Sequence, residues 1–134
     1  MREILFKAKR ICNGEWLGGG FCQSSDGRTF LAGVTKRGLI DGLEVVPETI
    51  CQYTGLTDKN GNKIWENDIL KGLFLHGMEI SAVVIFKDGA FGLKWNRGNV
   101  EEFSPFTSIC NVSFEIIGNI FDNPELLEGG AENE

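Results

Sequence analysis

Short apolar runs that end in glycine-bearing turn dipeptides fill most of this chain, and no stretch sustains the 3.6-residue period of a long helix. The dipeptides are Asn13-Gly14, Asn60-Gly61, His76-Gly77 and Asp88-Gly89. Asn-Gly and Asp-Gly suit two-residue hairpin turns because both residues tolerate positive φ. Eighteen glycines stand against three prolines, with no Gly/Ser/Pro stretch of linker length. That balance fits many tight turns between strands and argues against disorder.

The strands can be read individually. "EILFKAKR" alternates apolar and polar residues, placing Ile4, Phe6 and Ala8 on one face; with "CNGEW" it predicts a hairpin over residues 3–22. The opposing reading of "WLGGGFCQ" is a flexible loop, since three glycines weaken a strand. "RTFLAGV" and "LIDGLEVV" are two further apolar segments, and Pro47 can open one helical turn. Beyond residue 50, strands are predicted over 66–75, 78–87, 90–96 and 112–123, with an irregular stretch through Phe103 and Phe106 and a helical turn at "PELLEG".

The class is mainly β, with α+β as the alternative. Residues 1–48 form an N-terminal β-rich segment. Residues 49–123 form a small C-terminal β-barrel of about five strands, closing to hide its edges. Residues 124–134 are a short turn and flexible tail. With 42% hydrophobic residues, ten Phe and three Trp, the chain can bury a core without metals or disulfides.

Charge narrows the function classes. Residues 1–50 hold seven Lys/Arg and six Asp/Glu, net +1; residues 51–134 hold six and thirteen, net −7. An acidic body disfavours non-specific nucleic-acid binding, which depends on cations meeting phosphates. No apolar run approaches the ~18 residues of a membrane span. "MREILFKAKR" is not a signal peptide, so a cytoplasmic setting with reduced thiols is expected. Cys12, Cys22, Cys51 and Cys110 form no C-x-x-C pair, and His76 is the one histidine, so a structural zinc site is hard to assemble. All four cysteines are expected to be free and buried, and no cofactor is expected.

Chemistry-bearing constellations carry bland alternatives beside the sharp ones. In "DKNGNKIWENDI", Asp58, Asn60 and Asn62 match the first three ligands of a calcium loop. Lys63 stands where that loop needs Gly, and Ile69 where it needs its bidentate Glu. The bland reading is a hairpin turn held by the Asp58 side chain, with Asn60 and Gly61 at positive φ. Tyr53, Leu56, Ile64, Trp65 and Ile69 would bury around it.

Glu66 and Asp68 share a strand face and could pair as an acid–base or metal site; a solvated strand edge is the plainer reading. "GGG" (18–20) lacks the Lys-Ser/Thr of a phosphate loop. His76, at a predicted hairpin tip, has no Cys or Asp partner nearby in sequence. Lys87, Lys94 and Arg97 interleave with Phe91 and Trp95, a pattern that can bind oligonucleotides by stacking and phosphate contact. Alternation puts Phe91 and Trp95 inward and Lys94 outward, which favours a structural reading.

Three segments, "REILFKA", "QYTGLTDKNGNKIWENDILK" and "FEIIGNIFDNPELLE", resemble in order and spacing the best-marked segments of the YopX-like family of phage and prophage proteins. The family pattern is close to R-E-I-x-F-R-A, Q-Y-T-G-L-x-D-x-x-G-x-x-I-Y-E-G-D-I-V and V-I-G-N-I-Y-E-N-P-E-L-L. Tyr53, Gly55, Asp58, Asn60, Gly61, Trp65 and Asp68 lie in the central segment, as structural rather than catalytic residues. Trp65 stands for Tyr, Asn67 for Gly, Leu70 for Val and Phe121 for Tyr; Asn67 can still take the left-handed conformation a Gly would supply. Residues 10–45 lie outside the resemblance. It implies a phage or prophage protein with a C-terminal barrel and no known catalytic residue. The expected partners are further copies of the chain and a host or phage protein, with nucleic acid as the alternative.

Overall fold

The computed structural model describes residues 4–35, 38–73, 79–97, 99–106 and 114–127. The chain divides into two compact units, Met1–Tyr53 and Thr54–Glu134. Each is built from antiparallel strands, and among the described residues helix is confined to single turns.

In the first unit β1 (Phe6–Lys9) and β2 (Trp16–Gly18) form the predicted hairpin, pairing Ala8 with Leu17 and Lys9 with Trp16. Gly14 takes φ +72°, Asn13 Oδ1 accepts the Glu15 N–H at 2.9 Å, and the Arg10 N–H reaches the Glu15 carbonyl at 2.9 Å. The glycine run is not a loop. Gly18 ends β2 and Gly20 opens β3 (Gly20–Gln23), so the glycines let the chain leave one partner strand and join another.

β3 pairs with β4 (Thr29–Thr35), and β4 with β5 (Gly38–Val45) across a bulge between Leu31 and Gly33. Ala8 and Val45 are fully buried, with Leu17 and Ile50 packed on them. Ile4, expected on the same inward face, is exposed because the strand pairing begins after it. Pro47–Thr49 is the expected helical turn, of the 3-10 type. Thr49 ties it down: its Oγ1 accepts the Lys9 N–H at 2.9 Å and donates to the Val46 carbonyl at 2.7 Å. β6 (Cys51–Thr57) begins here, pairing Cys51 and Gln52 with Lys7 and Phe6.

In the second unit β7 (Lys63–Trp65) lies beside β6. A five-stranded sheet follows in the order β11-β10-β9-β8-β12: Val100–Pro105, Ala90–Arg97, Glu79–Lys87, Asp68–Leu73 and Glu115–Asn119. The predicted Asp-Gly turn joins β9 to β10, with Asp88 at φ +53° and Gly89 at φ +83°, the two positive values a type I′ turn requires. The segment through Phe103, read from sequence as irregular, is strand β11; its Glu101, Glu102 and Pro105 hid it from a propensity reading.

The sheet curls into a half-barrel. Ile64, Leu70, Ala82, Val84, Leu93 and Phe114 form its core, with Ile80, Trp95, Phe106 and Ile116 against them. Among the described residues, β11 and β12 stand at the two ends of the order without pairing. No helix among the described residues is long and apolar enough to cross a membrane.

Candidate functional site

The central motif folds around one carboxylate. Asp58 is only 6% exposed, and its Oδ1 accepts the N–H groups of Asn60 and Asn62, both at 2.9 Å. Its Oδ2 accepts the Ile116 N–H at 3.1 Å. The Lys59 N–H reaches the Phe114 carbonyl at 3.1 Å, and Lys59 Nζ lies 3.2 Å from Glu115 Oε1. The turn is thus clasped to the start of β12.

Burial pushes the Asp58 carboxyl up, but the N–H groups of Ile116, Asn62 and Asn60 and the Asn62 side chain outweigh it and hold it below the usual carboxylate range. Both oxygens that a calcium reading would aim at a metal are engaged by backbone donors. Among the described residues no three His, Cys, Asp or Glu side chains gather where they could hold a metal ion.

Gly61 takes φ +86° and Gly55 φ +93°, whereas Asn60 stays at negative φ; one left-handed residue suffices to close the turn. Thr54 Oγ1 donates to the Ile64 carbonyl at 2.8 Å. Tyr53, Ile64 and Ile69 are buried, but Leu56 is exposed at the open end of β6.

Asp68 is not a solvated edge residue. It is 4% exposed, its Oδ2 accepts the Trp65 N–H at 2.8 Å, and its strand runs between β9 and β12. Asn67 takes the expected left-handed conformation, at φ +74°. That turn aims its N–H at the Val84 carbonyl (2.7 Å) and its C=O at the Ile120 N–H (3.0 Å), joining β9 to the chain after β12. Glu66 is half-buried in the same turn.

The third motif segment forms a knot of local bonds that the sequence reading missed. Asn119 Oδ1 accepts the N–H groups of Phe121 and Asp122, both at 2.9 Å. Asn123 Oδ1 accepts the Asn119 N–H at 3.3 Å. A Cβ on Gly118 would lie 2.5 Å from Asn123 Oδ1 and 2.8 Å from its Cγ. Asn123-Pro124 then opens the predicted helical turn, an Ncap–N1 pair that was the available signal.

The aromatic and basic hairpin is mixed. Leu93 is fully buried, Trp95 packs on the core, and Phe91 meets Phe86 edge to face with centroids 5.0 Å apart. Phe86 is 55% exposed. Of the three candidate cations, Lys94 Nζ lies 3.1 Å from Glu101 Oε2, and Lys87 Nζ stands 5.5 Å from the Phe103 ring centre. Arg97 closes β10, and its side chain lies outside the described residues. Acidic β11 therefore holds one cation that a phosphate would need.

Among the described residues Cys12, Cys22 and Cys51 take part in no disulfide. Cys51 is buried, its Sγ donating to the Thr49 carbonyl at 3.2 Å, but Cys12 and Cys22 are exposed, contrary to expectation, because a turn and an edge strand carry them. Cys110 and His76 lie outside the described residues.

Residues 11–128 match the family described as YopX protein. Among curated proteins none matches the chain. Among solved structures, the chain is similar to protein EF1440 from Enterococcus faecalis, at 22% identity and a TM-score of 0.57. The likeness covers 95% of this chain and 99% of that one and speaks for the fold alone. With nearly its whole length matched, and the motif residues serving the architecture just described, the chain belongs to the YopX family.

Proposed function

We propose that this chain is a phage- or prophage-encoded accessory protein of a bacterial cytoplasm, acting through protein–protein contacts and associating with further copies of itself. One observation carries the reading: the polar groups of the family motifs bind the chain's own backbone, while large apolar side chains stay outside. Asp58, Asp68, Asn119 and Asn123 all accept backbone N–H groups. Ile4, Ile11, Phe21, Phe86 and Val100 are exposed. Such residues gain by meeting another protein surface. The slightly basic first half and the acidic second half, +1 and −7, further lower the repulsion between copies when unlike halves meet.

Light scattering on the full-length protein at tens of micromolar tests self-association, and a monomeric mass counts against it. A pull-down from induced host cells, read by mass spectrometry, identifies a host or phage partner. Nucleic-acid binding is the second reading, favoured by Lys87 standing over Phe103, the residue that pairs with Lys94 across β10 and β11. Salt-dependent retention on single-stranded DNA, lost in Lys87→Ala, would put that reading first.

A further inference from the structure

Strand β3 is an edge without protection. The first unit's three-stranded sheet runs β3-β4-β5, so among the described residues one side of Gly20–Gln23 has no partner strand. All four residues, Gly-Phe-Cys-Gln, are exposed, and none is charged or proline. The other sheet ends among the described residues are guarded differently. β11 carries Glu101 and Glu102, β12 carries Glu115, and β7 has Lys63 and an N–H taken by Asp68. Lys7 and Lys9 flank Trp16 of β2, and β5 is bridged to Arg10. Charges and short bridges of this kind are how sheets avoid pairing with other chains.

The register says which backbone groups face outward. Gln23 pairs with Thr29, and one step on, the Ser24 N–H bonds the Arg28 carbonyl at 2.8 Å. Ser24 therefore points toward β4. By alternation so do Cys22 and Gly20, leaving the N–H and C=O of Phe21 and Gln23 on the open side. Among the described residues neither makes a backbone hydrogen bond there.

We propose that β3 pairs antiparallel with β3 of a second copy across a two-fold axis at Cys22. This rests on the self-association reading and gives it a surface. With Phe21 opposite Gln23 of the second copy, and the reverse, all four outward groups on each strand are satisfied and two three-stranded sheets become one of six. Cys22 then faces its own counterpart as a non-hydrogen-bonded pair, with Cα atoms about 4.5 Å apart, inside the range a disulfide spans. The uncharged edge is what permits a strand to meet itself: a Lys or Glu in place of Cys22 would face its own like charge across the axis.

The test uses full-length protein. Diamide should take two electrons and two protons from the facing thiols and form one Cys22–Cys22 disulfide. A covalent dimer is expected on a non-reducing gel, with the linked peptide identified by mass spectrometry, and none in Cys22→Ser. Gln23→Pro, which removes an outward N–H, and Cys22→Lys, which sets like charges on the axis, should each lower the native mass from dimer to monomer. Thermal unfolding confirms that these variants fold, and the cross-link in unaltered protein decides should they not. A dimer that both variants retain, with no Cys22–Cys22 peptide, overturns the edge pairing while leaving self-association intact. A monomeric unaltered protein overturns both.

Discussion

The Asp58 carboxylate accepts the backbone N–H of Ile116, 58 residues further along the chain. One side chain thereby closes its own turn and holds the start of β12. Asp58→Ala should strand the Ile116 N–H among buried neighbours, while the N–H groups of Asn60 and Asn62 turn to water. A loss of about 2–4 kcal/mol in chemical denaturation is expected. Asp58→Asn keeps an acceptor and should lose about half as much. A change within 0.5 kcal/mol for Asp58→Ala would remove the clasp from this account, and so would a rise of several degrees in melting temperature with millimolar calcium.

The same carboxylate sets an acid limit. Its folded pKa lies below the unfolded one, so its contribution is complete above about pH 4 and fades as pH falls through the folded value. Asp26 shifts the same way through Ser24 and Arg28, so total stability mixes both. The difference between unaltered protein and Asp58→Asn isolates Asp58. That difference should be flat from pH 5 to 7 and shrink below pH 4. One that grows on acidification would mean the sign is wrong.

Gly92 is a spacing requirement rather than a turn. It sits in β10 opposite Pro105, where an added Cβ would fall 2.6 Å from Pro105 Cα and 2.7 Å from Phe103 Cζ. Its backbone φ is not in the left-handed region, so the cost is purely of room. Gly92→Ala should cost about 3 kcal/mol, at the upper end for overpacking, because strand backbone must move. A neutral result in a thermal scan would show that β11 gives way freely.

Gly118 and Asn123 should be coupled. Gly118→Ala drives a methyl into the Asn123 side chain and breaks its bond to the Asn119 N–H. Asn123→Ala removes that bond but makes room. The double variant should therefore be less destabilised than the sum of the singles, by about 0.5–2 kcal/mol. Strict additivity would deny the contact.

Position along β9 and β10 should separate structure from surface. Leu93→Ala should cost about 2–5 kcal/mol as a fully buried core truncation. Phe86→Ala should stay within about 1 kcal/mol, since its ring is mostly in water and loses chiefly its edge-to-face contact with Phe91. Equal losses in urea unfolding would contradict the assigned faces.

Local chemistry was legible in the amino-acid order alone. Asn13-Gly14 and Asp88-Gly89 specify hairpins, Pro47 and Asn123-Pro124 open helical turns, and Asn67 can stand for a glycine, because each depends on φ preferences of neighbouring residues. The alternation that buries Leu93 and exposes Phe86 was partly legible; the edge-on Phe91 was not, since alternation names a face but not its depth. Only the tertiary structure decided which strand lies beside which. β12 joins the far side of β8, and β3 leaves β2 for β4, because strand order follows from how buried faces are shared across long separations. The Asp58–Ile116 bond belongs to that second kind: the sequence supplies a carboxylate suited to a turn, and folding alone brings a distant N–H to its second oxygen.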